Sequence, residues 1–198
     1  MKNSAIRKKK LIKAATKIFA MKGFDHATMD EIAEAAKVTK GALYYNYASK
    51  SHLFVAVVTD GMEEIMEQIS LELESDLPFN EHFQLLISNI IRIFRNNKEV
   101  IWIYANDLSS GISPEALEEI EKVRQRFFRF VTDALEAGQE KGYLKPLHRQ
   151  ISATVLVGMM AAFCTNRLGP EENYDLKEII ETVIPILSWG SWQQKSDC

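Results

Sequence analysis

Apolar residues recur at spacings of three and four along almost the whole chain, and this helical period constrains the fold more than any other feature. Runs of alternating β-branched residues, which are typical of half-buried strands, do not occur in the sequence. Proline and glycine fall between the periodic segments, where they separate one helix from the next. The sequence therefore predicts an all-α fold of about nine helices, over residues 5–22, 29–36, 40–46, 50–75, 80–96, 99–109, 114–141, 147–168 and 174–189.

The distribution of helix length and charge divides the chain into two parts. Three short helices precede six mostly longer ones, which predicts a small domain at residues 1–49 and a larger helical domain at residues 50–198. Residues 1–50 hold eleven Lys and Arg and four Asp and Glu, a net charge of +7 in a chain whose formal net charge is -3. A basic head of this kind favours a polyanionic partner such as nucleic acid.

Neither a membrane partner nor a disulfide framework is predicted. The longest mostly apolar run, residues 151–164, is too short to cross a bilayer. Lys13 and Lys17 interrupt the apolar segment near the N-terminus on a helical period, which favours an amphipathic helix of the fold over a secretory signal. Cys164 and Cys198 form no spacing typical of a disulfide or metal site. A cytoplasmic location is therefore expected.

The segment after the first helix has the local signals of two short helices joined by a tight turn. Thr28 and Glu31 have the spacing of a capping box at the start of the second helix. Residues 36–38 are expected to form the turn, and Thr39 is expected to cap the next helix. Two helices joined in this way form a helix-turn-helix, whose second helix can enter the DNA major groove.

Lysines and tyrosines cluster around that second helix. Lys40 and Lys50 lie in the first turns of two helices, where the helix dipole disfavours cations but a phosphate would be bound by free backbone N–H groups. Tyr44 and Tyr45 can each donate a hydroxyl to a phosphate. As an alternative, Tyr44, Tyr45 and Tyr47 are half-buried aromatic residues that bridge small helices. The capping box, the turn, the helix-end lysines and the basic head together favour DNA binding.

A pattern of aromatic residues, glycine, threonine and lysine runs from about Ile6 to Phe54. Its members are Phe19, Gly23 and Phe24, then Thr28, then Leu43 to Tyr47, then Lys50. This pattern resembles the DNA-binding domain of the tetracycline-repressor (TetR) family. The resemblance implies that Thr28, Tyr44 and Lys50 hold phosphates. It also implies that the residues at or near base edges are Thr39, Lys40, Gly41, Ala42 and Asn46.

Three positions depart from the usual family pattern. Lys37 stands where the turn usually has glycine, which costs roughly 1 to 2 kcal/mol if that position requires a positive φ. Asn46 and Tyr47 stand where the recognition helix usually ends in a His-Phe pair.

The resemblance further implies a ligand-binding and dimerisation domain after residue 50, with a pocket among the middle helices. Aromatic and methionine side chains with a few polar groups suit a mostly apolar pocket. The predicted pocket residues are Asn89, Trp102, Tyr104, Asn106, Asp107, Arg124, Phe127, Phe128, Met159 and Phe163, with Phe130 and Met160 in the same apolar group. The same apolar side chains at helical spacing could instead form plain core.

The last two predicted helices suit a homodimer interface. Ala153, Gly158 and Ala162 are small enough for another helix to approach closely, and residues 174–189 add an apolar face. Two such helices from each subunit would form a four-helix interface, although they could instead close the core of one subunit. A dimer is favoured because one short recognition helix reads too few bases to be selective alone.

The predicted function is a ligand-responsive transcriptional regulator, a repressor released from a palindromic DNA operator by a small apolar effector. The first alternative is an all-helical enzyme, for which Asp107 and Arg124 would be weak candidates. The motifs GxGxxG, GxxxxGK[ST], HExxH and GxSxG are absent from the sequence, so no catalytic residue, cofactor or metal ion is predicted. The second alternative is an architectural DNA-binding protein without a ligand, which a helical domain lacking an internal cavity would favour.

Overall fold

The computed structural model describes residues 2–74, 79–106, 111–165 and 175–191, and the side chains of most of them. Within these ranges the chain forms nine α-helices, which confirms the predicted all-α class. Their bounds are α1 (Lys2–His26), α2 (Met29–Ala36), α3 (Lys40–Asn46), α4 (Lys50–Leu73), α5 (Phe79–Asn96), α6 (Lys98–Asn106), α7 (Pro114–Glu140), α8 (Arg149–Thr165) and α9 (Leu176–Ser191). None of the helices in the described part of the chain is both long enough and apolar enough to cross a membrane.

Gly23 interrupts α1 near its C-terminal end. Its φ of 74° and ψ of 170° are non-helical and suit glycine, because a Cβ atom would disfavour this conformation. The regular part of the first helix therefore stops close to the residue where the sequence predicted it to end.

The chain divides into two compact units. The first comprises Met1–Glu64 and Asn97–Gln125, and the second comprises Ile65–Asn96 and Arg126–Cys198. Both α4 and α7 begin in the first unit and continue into the second. The predicted division after residue 49 falls at the start of α4, and it stays a prediction about domain boundaries.

In the first unit, α1 packs against α2 and α6 around an aromatic cluster. The ring centroids of Phe19 and Phe54 lie 5.0 Å apart in an edge-to-face arrangement, and those of Phe24 and Phe54 lie 5.2 Å apart. All three rings are almost completely buried, as is Leu43 of α3. Burial of such side chains stabilises a fold by about 1.5 to 3 kcal/mol each, so this cluster anchors the short helices on α1.

In the second unit, α5 packs against α8 and α9. Its apolar face follows the helical period through Phe83, Ile87, Ile91 and Phe94, all of them buried. The Phe94 ring approaches that of Phe127 on α7, with 6.4 Å between the centroids. This face supplies one side of the apolar cavity described below.

Candidate DNA interface and ligand cavity

The helix-turn-helix begins with the predicted capping box. The Glu31 backbone N–H donates to the Thr28 hydroxyl oxygen at 3.2 Å, and the Thr28 backbone N–H donates to the Glu31 carboxylate at the same distance. Lys22 also donates to that carboxylate at 2.5 Å, and this hydrogen bond is the main cause that lowers the pKa of Glu31. The N-terminus of α2 is therefore held by its own side chains.

The turn between α2 and α3 places Lys37 in the left-handed region, with a φ of 55° and a ψ of 45°. Its backbone N–H closes the end of α2 by donating to the carbonyl oxygens of Ala33 and Glu34. The sequence predicted a cost at this position if a positive φ were required, and the structure has that positive φ. Among the described residues, Lys37 is the only non-glycine residue with a positive φ.

α3 presents a polar and aromatic surface, and Leu43 faces the core. Thr39 caps the helix, since its hydroxyl oxygen accepts from the Ala42 N–H at 3.2 Å. Tyr45 is 90% exposed and Tyr44 is 44% exposed. Their exposure fits a helix that meets a partner better than it fits aromatic residues bridging helices.

The other predicted contact residues of α3 are also at its surface. Lys40, Gly41 and Asn46 are exposed, and Ala42 is partly exposed. The Asn46 side-chain amide donates to the Ala42 carbonyl oxygen at 2.7 Å. Lys40 pairs with Asp30 at 2.8 Å, and its hydrogen bond with that carboxylate is the main cause that raises the pKa of Lys40. The base contacts of these residues stay predictions.

Tyr47 behaves differently from the two tyrosines before it. Its side chain is 3% exposed, and its ring lies edge-on to His52 with 5.8 Å between the centroids. Among the described residues its hydroxyl has no hydrogen-bond partner. Burial, with the nearby Asp60 carboxylate as a smaller cause, raises the pKa of Tyr47 to about 12. For this tyrosine, the interpretation as a buried bridge between helices fits.

Lys50 has a structural role that the sequence pattern did not indicate. Its Nζ donates to the carbonyl oxygens of Asp25, in the last turn of α1, at 3.1 Å and of Ala27, just after α1, at 3.0 Å. The same ammonium lies 4.5 Å from the centroid of the Phe24 ring. Two of its three donors are therefore engaged within the protein, which leaves one donor for the predicted phosphate contact.

The second unit contains an apolar cavity of about 290 Å³. This volume is near the lower end of the range for small-molecule sites. The polar side chains on its wall are Lys141 and Tyr143, and the other lining residues are apolar. They are Ile69, Leu73, Phe83, Leu86, Ile87, Ile90, Phe94, Phe127, Phe130, Val131, Ala134, Leu135, Ala137, Gly138, Leu144, Leu156, Val157, Met160 and Leu187.

The turn after α7 brings the two polar side chains to the cavity. The N–H groups of Tyr143 and Leu144 both donate to the Gly138 carbonyl oxygen, at 2.9 and 3.1 Å. Gly142 adopts a positive φ of 71° there. Leu144 packs so closely on Gly138 that a Cβ at that glycine would lie 2.8 Å from the leucine Cδ1 atom. The backbone geometry of this turn therefore determines where Lys141 and Tyr143 lie.

The structure brings few of the predicted pocket residues to this cavity, and the ligand contacts of the predicted set stay predictions. Phe127 lies on its wall, together with Phe130 and Met160 of the same apolar group. Three predicted residues, Asn89, Phe128 and Met159, lie in the second unit but are not part of the wall. The Asn89 amide instead donates to the Glu72 carboxylate at 2.7 Å.

Three other predicted pocket residues, Trp102, Tyr104 and Arg124, belong to the first unit. The Arg124 guanidinium donates to the Tyr104 carbonyl oxygen at 3.0 Å and lies 5.7 Å from the centroid of its ring. Burial raises the pKa of Tyr104 to about 12. Asn106 is the last residue of α6, while Asp107 and the side chains of Asn106 and Phe163 lie outside the described set.

The two helices predicted to form the dimer interface carry both buried and exposed residues. Ala153 is fully buried within its own subunit, and a Cβ added at Gly158 would meet open space. Ile151 and Val155 of α8 are 61% and 59% exposed, and Ile186 of α9 is 61% exposed. An apolar strip of α8 and α9 therefore remains uncovered in a single chain.

The aliphatic wall of the cavity was not among the predicted ligand residues. Leu86 and Ile90 on α5, and Val131 and Ala134 on α7, continue the apolar faces that also carry Phe94 and Phe127. Their helical spacing could have indicated a common face, but it contains no information on which part of that face borders an empty space.

Comparison with known proteins agrees with this geometry. Residues 11–57 match the family "Bacterial regulatory proteins, tetR family", and residues 76–165 match "Tetracyclin repressor-like, C-terminal domain". An exposed recognition helix on a capped helix-turn-helix, joined to a helical domain, defines a helix-turn-helix transcriptional regulator. The chain belongs to the tetracycline-repressor family. Its named relatives are transcriptional regulators, which favours a regulator over the alternative of an all-helical enzyme.

The individual relatives are also transcriptional regulators. The chain is 28% identical over 156 residues to the helix-turn-helix regulator YhgD of Bacillus subtilis, covering 79% of this chain and 81% of YhgD. It is 23% identical to the transcriptional repressor BepR of Brucella suis, covering 89% and 90% of the two chains. The structure of the regulator FadR from Bacillus subtilis in complex with stearoyl-CoA matches with a TM-score of 0.73 at 18% identity, over 90% of this chain and 96% of that chain.

Proposed function

We propose that the protein is a homodimeric transcriptional repressor, located in the cytoplasm, which releases a palindromic operator when an acyl-chain ligand fills the cavity of the second unit. The observation that carries this proposal is the cavity itself, with its apolar wall and its single cationic side chain, Lys141. An architectural DNA-binding protein has no use for such a space, and the proposal therefore favours a ligand-binding regulator over that alternative.

The chemistry of the cavity wall favours an elongated amphiphile. Aliphatic and aromatic side chains from five helices surround the space, so an alkyl chain would replace contact with water by contact with apolar atoms. Lys141 and Tyr143 could bind a carboxylate, thioester or phosphate at the head of the same molecule. The FadR structure with stearoyl-CoA supports this choice, because that relative shares the fold and its complex contains a ligand of this class.

α4 provides a route by which the ligand could affect DNA binding. At its N-terminus Lys50 is tied to the backbone carbonyls of Asp25 and Ala27, beside the helix-turn-helix. At its C-terminus Ile69 and Leu73 line the cavity. A ligand that displaces those two side chains would tilt a helix whose other end is anchored to the DNA-binding head. A coupling free energy of about 1 to 3 kcal/mol would lower operator affinity roughly 5- to 150-fold.

The exposed apolar strip of α8 and α9 supports the homodimer. Ile151, Val155 and Ile186 would be covered by the same strip of a second copy, and the open space at Gly158 would let the helices approach. Two recognition helices would then read two half-sites about one DNA turn apart, which is the arrangement that a palindromic operator requires.

The test uses a duplex selected by the purified protein from a random-sequence pool, and a series of saturated acyl-CoA molecules. We expect acyl-CoA to lower the affinity for the selected duplex at least about fivefold. Each two added methylenes should strengthen acyl-CoA binding by about 1.6 kcal/mol until the cavity is full. Operator affinity and acyl-CoA affinity are measured separately, by fluorescence anisotropy and by calorimetry.

Ala134→Phe should fill part of the cavity and abolish the acyl-CoA response while leaving affinity for the selected duplex unchanged. Ala105→Phe makes the same change at an exposed position of α6 in the first unit and serves as the control. Circular dichroism checks that both variants are folded. If Ala134→Phe responds to acyl-CoA like Ala105→Phe, the ligand does not bind in this cavity and the proposal is wrong.

A further inference from the structure

An open groove of about 640 Å³ lies between α1 and the turn of the helix-turn-helix. Lys10, Lys13 and Lys17 line one side of it, and Lys37 lines the other. The three lysines of α1 occupy positions i, i+3 and i+7, so they share one face over a length of about 10 Å. All four side chains are exposed. The groove is thus a continuous basic surface formed by two elements that are distant in sequence.

In the described part of the chain, these four lysines have no acidic partner. Among the described residues, none of the four forms an ion pair, and none is close enough to a carboxylate for a hydrogen bond. Three other lysines of the first unit are paired: Lys8 lies 3.7 Å from Asp60, Lys22 2.5 Å from Glu31 and Lys40 2.8 Å from Asp30. An ordinary solvated helix face would mix the two charge signs, whereas here Asp30 and Glu31 of α2 pair with lysines outside the groove.

The groove is continuous with the predicted DNA-reading surface. Thr39 and Ala42, which belong to the cap and first turn of α3, also line the groove. DNA whose major groove held α3 would therefore bring one edge of its phosphate backbone to this side of the helix. Phosphates there would meet four positive charges that have no other counter-ion in the described part of the protein.

We propose that the groove formed by Lys10, Lys13, Lys17 and Lys37 binds the operator's phosphate backbone beside the N-terminal end of α3. This contact is separate from those predicted for Thr28, Tyr44 and Lys50. The groove reads no bases. It adds affinity and fixes the position of the recognition helix in the major groove, because phosphate contacts determine register while base edges determine sequence.

The experiment compares the wild-type protein with the triple variant Lys10→Gln, Lys13→Gln, Lys17→Gln on the duplex selected by the wild-type protein. Hydroxyl-radical footprinting should show a block of backbone positions at one end of each half-site that is protected by the wild type and exposed in the triple variant. The other protected positions should persist. The slope of log affinity against log salt concentration should fall by about 0.9 for each phosphate that the variant no longer neutralises, so by about 3 for each subunit.

Lys8→Gln is the matched control. Lys8 is on the same helix but on the opposite side from the groove, where it pairs with Asp60. This substitution should leave the footprint unchanged and should lower the salt slope by less than about 0.9, the value for a single phosphate. Denaturation curves should show that the triple variant is folded, since all three lysines are exposed.

The proposal would be overturned if the triple variant kept the complete wild-type footprint, or if its weaker binding were spread evenly over all protected positions. It would also be wrong if the wild type bound inorganic tripolyphosphate in the groove while the triple variant retained the footprint, because the groove would then be a small-anion site. Failure to select any preferred duplex would count against sequence-specific repression instead, and the difference in salt slope between the wild type and the triple variant on random duplex would still test the groove.

Discussion

Replacing Lys37 with glycine should stabilise the protein and at the same time weaken its binding to DNA. Lys37 holds a φ of 55° at the end of α2, where its backbone N–H donates to two helical carbonyls. The Cβ atom of any L residue is crowded in this conformation. Glycine would keep the two hydrogen bonds and remove the crowding, so the turn should form with less strain.

The expected magnitude follows from two opposing contributions. Relief of the left-handed conformation is worth about 1 to 2 kcal/mol. Glycine also gives the unfolded chain more conformational freedom, which costs about 0.5 to 1 kcal/mol. The middle of each range gives a net rise of about 0.7 kcal/mol in the free energy of unfolding of Lys37→Gly, equivalent to a midpoint shift of a few degrees in a chain of this size.

Urea denaturation followed by circular dichroism measures this change, and Lys37→Ala separates the backbone from the charge. Alanine keeps the Cβ atom and removes the ammonium, so Lys37→Ala should weaken DNA binding like Lys37→Gly but should show no gain in stability. Glu34→Gly, at an exposed helical position, should instead lower the free energy of unfolding by about 0.5 to 1 kcal/mol. If Lys37→Gly proved no more stable than Lys37→Ala, the left-handed backbone at this position would not be strained.

Two further substitutions test buried and semi-buried contacts of the DNA-binding head. Tyr47→Phe should raise stability by about 1 kcal/mol, because it removes a buried hydroxyl that lacks a partner among the described residues. Folding raises the pKa of Tyr47 to about 12. The contribution of this pKa difference to the free energy of unfolding is therefore fully present below the ordinary pKa of 10.0, and it is lost as the pH rises through 12. Urea denaturation at about pH 8 and about pH 11 should therefore show a smaller alkaline loss for Tyr47→Phe than for the wild type, and an equal loss would contradict this. Lys50→Met should lower the free energy of unfolding by about 2 kcal/mol, since its ammonium binds the carbonyls of Asp25 and Ala27. Lys8→Met, which removes an exposed lysine, should lower the free energy of unfolding by less than about 1 kcal/mol. Equal losses for Lys50→Met and Lys8→Met would show that the Lys50 contacts contribute little to stability.

The nine helices and the helix-turn-helix could be predicted because their signals are local. A capping box joins Thr28 and Glu31 across three residues, and Thr39 bonds to the N–H of Ala42 across the same distance. Such interactions depend only on the neighbouring sequence. The burial of Leu43 follows equally from the period of a single helix. These features account for the agreement between the predicted and observed helices.

The ligand cavity could be predicted only in part. Aromatic residues were expected to mark it, but Trp102 and Tyr104 lie in the first unit, and the cavity wall is mostly aliphatic. Composition distinguishes apolar from polar helix faces, but it does not distinguish an apolar face in contact with another from one that borders a space. That distinction depends on how closely α5, α7 and α8 approach each other.

The helices, their caps, the basic head and the motif of the DNA-binding domain can be read directly from the residues, because each is encoded within a few neighbouring positions. The partners that distant residues meet depend instead on the folded chain. Folding places the Lys50 ammonium on carbonyls more than twenty residues earlier in the chain, buries Tyr47 while exposing Tyr45, and sets Lys37 across a groove from Lys13. Contacts of this kind arise from packing between helices, and no periodicity within one helix specifies which surfaces come together.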